Sequence, residues 1–129
     1  MIAVDTSLLV RLLTKDDPSQ AKRAAKIMKS DDIFIPKTVM LETEWVLRHA
    51  YGIDKGAITK GFQKMMGLPN VSVEDQQTIF QAISWYESGL DFADSLHLGS
   101  SMKADKFVTF DNAFIKKARK LISIDITLP

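Results

Sequence analysis

Met1-Ile-Ala-Val-Asp5-Thr-Ser-Leu-Leu-Val-Arg-Leu-Leu13 opens the chain, and its reading sets the fold. Met1 to Val4 is apolar and too short for a helix, which predicts a buried strand. Thr6 and Ser7 then offer helix N-cap oxygens, and Leu8, Leu9, Leu12 and Leu13 follow at helical spacing. The stretch is therefore a strand running into a helix, with Asp5 at the corner. A carboxylate beside apolar surroundings is costly unless paired, hydrogen-bonded or bound to a cation.

The same alternation continues outward. Pro18, capped by Asp17, starts a second helix with Ala21, Ala24, Ala25 and Met28 on its apolar face and Lys22, Arg23, Lys26 and Lys29 outside. Ile33 to Ile35 reads as a strand stopped by Pro36. A third helix opens at Lys37 or Thr38 and ends at Gly52. A fourth runs from Asp54 to about Met66. Val71 to Val73 is a strand, and a fifth helix runs from Asp75 to Glu87, ended by Gly89. Asp91 caps a sixth. Lys106 to Thr109 is a strand, Asp111 or Asn112 caps a seventh helix reaching about Leu121, and Ile122 to Ile126 adds a last strand. Strands separated by helices predict a central parallel sheet of four to five short strands covered on both faces, a three-layer α/β/α arrangement. Without repeat, linker or low-complexity tract, residues 1–129 read as one domain.

The totals narrow the function classes. Apolar content is 46%, charged content 26% and formal net charge +1, so affinity for nucleic acid must come from local clustering. No cysteine is present, which excludes disulfides, thiolate nucleophiles and zinc–cysteine sites. No apolar run reaches the roughly 18 residues that cross a bilayer. Absence of cysteine and of a basic leader predicts a cytoplasmic protein.

Four acids stand out. Asp5 and Asp111 each close a strand, where ligands bind in parallel α/β folds. Glu42 shares a helical stripe with Val39, Trp45 and Val46, which predicts that it faces inward, while Glu44 is expected to pair outward with Arg48. Asp94 lies beside Ala93, Leu96 and His97 on the apparent packed side of its helix. Asp91 reads as that helix's N-cap, with a supporting role at a metal as its alternative. Helix capping explains any one of these acids; the set of four points to a shared site. Two carboxylates about 5 Å apart repel by roughly 3 kcal/mol at an effective dielectric near 20. Clustered acids therefore either take up protons or bind a divalent ion. All-oxygen donors favour Mg²⁺ or Mn²⁺, ions that meet phosphate substrates and activate water for in-line attack on phosphorus.

Met1 to Ser7, Val39 to Arg48, Gly89 to His97 and Val108 to Phe114 together resemble the PIN-domain ribonucleases, in particular the toxin subunits of VapBC toxin–antitoxin pairs. The resemblance implies a PIN-like fold with Asp5, Glu42, Asp94 and Asp111 as the catalytic and metal-binding acids. It implies a divalent-metal-dependent endoribonuclease leaving a 5′-phosphate and a 3′-hydroxyl, a frequent homodimer, and an antitoxin partner that blocks the site. The last acid varies in that family, so Asp111 carries over least directly.

Around these acids, Thr6, Ser7 and Thr109 are candidates to orient a carboxylate or touch phosphate, with capping as the alternative for the first two. Asn112 reads as a cap, with a hydrogen bond to a metal-bound water as its alternative. His97 reads as a core residue rather than a ligand, and nothing singles out His49. Lys116, Lys117, Arg119 and Lys120, with Lys103 and Lys106, form a candidate RNA-contacting cluster or a solvated helix face. Phe92, Phe110 and Phe114 read as core. Leu8, Leu9, Leu12, Leu13, Trp45, Met65 and Met66 read mostly as core, with a groove or dimer face as the alternative. Rival functions are an aspartate-based phosphatase, weakened by Ser7 where a second aspartate is needed, a phosphoacceptor receiver domain, and an inactive PIN-like partner-binding module.

Overall fold

A computed structural model describes residues 1–129 and divides the chain into two compact units, Met1–Gln76 and Gln77–Pro129.

The first unit holds β1 (Ile2–Ala3), α1 (Thr6–Thr14), α2 (Pro18–Ser30), β2 (Ile33–Ile35), α3 (Lys37–Trp45), α4 (Lys55–Met66) and β3 (Val71–Val73). The three strands pair in parallel in the order β1-β2-β3, with Ile2 opposite Ile33 and Ile33 opposite Val71. Each cap is local chemistry. Asp17 Oδ1 accepts from Gln20 N at 3.0 Å, with Pro18 occupying the first turn, and Asp54 Oδ1 accepts from Ala57 N at 2.9 Å. Pro36 ends β2 and stands at the start of α3 without a side-chain cap. Beyond Trp45, α3 continues as a π-helical turn, Val46–Ala50, and stops at Gly52, whose φ of 65° favours glycine. Packing follows the apolar spacing. Leu9, Ile33, Ile35, Met40, Ile58 and Phe62 are fully buried, each such side chain contributing about 1.5–3 kcal/mol of transfer free energy.

The second unit holds α5 (Gln76–Glu87), whose first residue belongs to the preceding unit, then α6 (Phe92–Gly99), β4 (Lys106–Val108), α7 (Asn112–Ala118) and β5 (Asp125–Thr127). Gly89, at φ 107°, turns the chain between α5 and α6. β4 and β5 pair in parallel, Phe107 opposite Ile126. One cluster of Trp85, Leu90, Leu98, Phe114, Ile115 and Ile126 forms its core, with Phe107, Ile122 and Ile124 packed against it.

The alternation of seven α-helices with five parallel strands matches the expected α/β class. The ladders differ in detail from one continuous sheet: hydrogen bonding joins three strands and, separately, two. α7 stops at Ala118 rather than Leu121, and the last strand is Asp125–Thr127 rather than 122–126. Ile122 and Ile124 join the core from the loop, so their apolar character reports packing rather than strand pairing.

Candidate active site

Asp5 leaves β1 and caps α1. Its Oδ1 accepts from Thr6 N at 2.7 Å, so Asp5, not Thr6 or Ser7, supplies the cap. Its Oδ2 has no hydrogen bond. Thr6 is only 6% exposed, and its Oγ1 is buried without a hydrogen-bond partner. Glu42, on α3, makes no hydrogen bond or ion pair. Asp5, Thr6, Ser7, Arg11, Glu42 and Tyr51 line one cleft of about 340 Å³. The first unit thus brings two of the four expected acids to one concavity, next to an unsatisfied hydroxyl.

Glu42 reaches that cleft differently from the expectation. It is exposed, and Trp45, its supposed inward neighbour, is 56% exposed and stacks on His49 with ring centroids 4.9 Å apart. The buried side of α3 carries Met40, Thr43 and Glu44. Glu44, at 1% exposure, accepts from Arg48 Nε at 2.6 Å. The i,i+4 pair is therefore present, but its carboxylate points inward. Arg48 neutralises it there, which apolar periodicity cannot register.

The second unit arranges its acids by helix starts. Asp91 Oδ2 accepts from Ala93 N at 3.2 Å, capping α6, and Asp94 follows in the first turn. Asp111 Oδ1 accepts from Phe114 N at 2.9 Å, capping α7, and Asp111 N donates to Thr109 Oγ1 at 3.1 Å. Thr109 thus fixes the corner that presents Asp111. Asp94 is half-buried, and its carboxyl is pushed above the ordinary value by burial first, then by the charges of Asp91 and Asp111; His97 and Lys117 partly oppose this. His97 is exposed, not core.

In neither unit do three or more His, Asp or Glu groups gather closely enough to hold a metal by themselves. Each unit supplies two of the four expected acids. Their chemistry fits a hard divalent cation: oxygen donors alone, free carboxylate oxygens on Asp5, Glu42 and Asp94, the orphaned Thr6 hydroxyl, and a charge penalty at Asp94 that a cation relieves.

A family model described as PIN domain matches residues 2–120. The chain belongs to the PIN-domain family. That match runs through both units and all four acids. PIN domains are generally nucleases that hydrolyse phosphodiester bonds, act on RNA and typically use divalent metal ions. No curated protein matches the chain. No helix is long and apolar enough to cross a membrane.

Other expected contacts divide. Lys103, Lys106, Lys116, Lys117 and Lys120 are exposed, whereas Arg119 donates from Nε and Nη2 to Ile126 O and ties α7 to β5. Phe92 and Phe114 are core, but Phe110 is 82% exposed, correcting its assignment. Leu9, Met65 and Met66 are buried and Leu8, Leu12 and Leu13 half-buried, as core packing requires. One group escaped sequence reading. Arg11 Nη1 donates to both Asp16 oxygens at 3.0 and 3.1 Å and to the Tyr51 hydroxyl at 2.9 Å, and its Nε donates to Gln20 Oε1 at 2.6 Å. An arginine four residues after Ser7, on the same helix face, was the available signal.

Proposed function

We propose that residues 1–129 act as a single PIN-like domain, a divalent-metal-dependent endoribonuclease and the toxin component of a VapBC-type pair. The family match across both units supports the nuclease reading. The observation that carries the site is the shared cleft of Asp5 and Glu42 beside the partnerless Thr6 hydroxyl.

Asp5, Glu42, Asp94 and Asp111 hold the cation, Mg²⁺ or Mn²⁺. When bound, it offsets their charge and stabilises the charge that develops on the phosphate in hydrolysis. Asp5 and Asp111 are each fixed through one oxygen by a helix N-terminus, which leaves the other oxygen free to act as a ligand. Thr6, whose hydroxyl is buried beside the cleft, offers it to a cation-bound carboxylate. Exposed Lys117 and its neighbours on α7 draw the RNA backbone in. A cognate antitoxin inserts an arginine or lysine side chain toward the acids, the protein forms a homodimer, and it works in the cytoplasm.

The test is cleavage of mixed RNA with Mg²⁺ or Mn²⁺, with EDTA, and by Asp5→Asn. The reading requires cleavage that disappears in both controls. Full activity of Asp5→Asn removes the site, and equal activity in EDTA removes the metal.

A further inference from the structure

Arg11 is the one cation lining the cleft that holds Asp5 and Glu42. It also lines a second cleft of about 610 Å³ between α1 and α2, whose rim carries Arg23 and Lys26, and Ser7 borders both. Arg11 thus stands at the junction of an acidic concavity and a basic one.

Its donors are divided in an informative way. A guanidinium has five N–H donors. Nε is taken by Gln20, and Nη1 by Asp16 and Tyr51. Asp16 is itself fixed by Thr14 Oγ1 at 2.9 Å and by the Tyr51 hydroxyl at 2.8 Å. The fork is therefore held in one orientation from the α2 side, and Nη2 makes no hydrogen bond. A purely structural clamp between α1, α2 and Tyr51 uses Nε and Nη1 and has no need of Nη2.

We propose that Arg11 is a substrate-binding residue whose Nη2 grips a phosphate of the RNA strand lying against Asp5 and Glu42; this rests on the ribonuclease reading above. Two free N–H groups on a rigid, permanently charged plane suit a phosphate oxygen, and preorganisation by Asp16, Gln20 and Tyr51 reduces the entropy lost on binding. The adjoining cleft, with Arg23 and Lys26, continues the track for neighbouring phosphates. The acids repel an RNA backbone, so a fixed cation beside them sets where the strand enters.

The experiment measures cleavage of a short single-stranded RNA oligonucleotide by the full chain with Mn²⁺ over a range of salt concentrations. Arg11→Gln raises KM about tenfold or more, with a smaller change in kcat. It also flattens the slope of log(kcat/KM) against log salt by about 0.7, the loss of one single-strand phosphate contact. Arg11→Lys restores the slope but not the whole of KM, because a point charge replaces a fork. Asp16→Asn loosens the same corner without removing the guanidinium; it lowers Tm and keeps or steepens the slope. An Arg11→Gln enzyme with unchanged KM and slope overturns the assignment while leaving the nuclease intact. So does a loss of activity that merely tracks Tm across all three variants. A folded wild type that leaves RNA uncut, or an Asp5→Asn variant that cuts as well as wild type, removes the ribonuclease reading itself and this assignment with it.

Discussion

Asp5 and Glu42 are exposed acids that share their cleft with a cation, Arg11; Asp94 is a half-buried acid that faces two more acids, Asp91 and Asp111. The second unit thus holds the Asp94 carboxylate at a standing electrostatic cost. Lys117 and His97 lessen that cost without cancelling it. The N-terminus of α6 favours a negative charge in its first turn, but burial and the neighbouring Asp91 and Asp111 charges outweigh that benefit at Asp94. Standing electrostatic cost of this kind belongs with function, where activity and stability pull apart.

The largest expected effects test whether the two pairs work as one set. Asp5→Asn and Asp94→Asn each lower RNA cleavage by about 10³-fold, the order seen when a group that stabilises transition-state charge is removed. Asn caps a helix about as well as Asp, so Asp5→Asn leaves thermal stability nearly unchanged. If one variant is inactive and the other retains wild-type rates in a steady-state assay, the acids do not act together.

Glu44 is buried and bonded to Arg48, while Glu42 is exposed and unbonded. Glu44→Ala removes the buried carboxylate bonded to Arg48 Nε and costs roughly 3 kcal/mol, measured by urea unfolding. Glu42→Ala costs less than about 0.5 kcal/mol, as exposed substitutions do, yet abolishes cleavage. The reverse pattern exchanges their roles and removes Glu42 from the site.

These two glutamates also mark how far the sequence could be read. Capping and strand-stop signals are local, so Asp17, Asp54, Asp91, Asp111, Pro36, Gly52 and Gly89 predicted their element boundaries to within a residue or two. Side-chain direction on α3 is not local. It depends on which face meets the rest of the unit, and a charge that brings its own partner defeats an apolar stripe. Phe110 failed for a related reason: hydrophobic type predicts burial in one direction only, and a residue closing a strand at an exposed corner can stay in water. The cleft was half legible. Asp5 and Thr6 were visible at the strand-to-helix corner, but the Arg11–Asp16–Tyr51 network joins positions from α1, the following loop and the far end of the third helix. No spacing rule connects them.

A smaller effect isolates the cost at Asp94. Asp94→Asn raises Tm at neutral pH, because it removes a charge that burial, Asp91 and Asp111 all disfavour. Added Mg²⁺ or Mn²⁺ stabilises the wild type more than this variant, by mass action on the folded state, and so narrows the gap. Calorimetry with and without the cation reads both. A variant less stable than wild type under metal-free conditions contradicts the claim that Asp94 carries a penalty.

The smallest effect sets the two units against each other through pH. The Asp16 carboxyl in the first unit is held below its ordinary value of 3.8, chiefly by the Tyr51 hydrogen bond, then by Thr14 and Arg11. Its contribution to stability is present above 3.8 and is lost as pH falls through the lowered folded value. The Asp94 carboxyl lies above 3.8. The folded chain binds that proton more tightly than the unfolded chain, so stability tied to Asp94 is complete below 3.8 and declines as pH rises through the raised folded value. Difference curves of Tm between pH 2.5 and 7 then have opposite signs. Wild type minus Asp16→Asn is positive at pH 7 and shrinks on acidification; wild type minus Asp94→Asn is negative at pH 7 and also shrinks on acidification. Asp16 is exposed, so its curve is shallow and flattens further in salt, whereas the burial of Asp94 preserves its curve. Two curves of the same sign undo the contrast between Asp16, a carboxylate held by its partners, and Asp94, a carboxylate held against neighbouring charge.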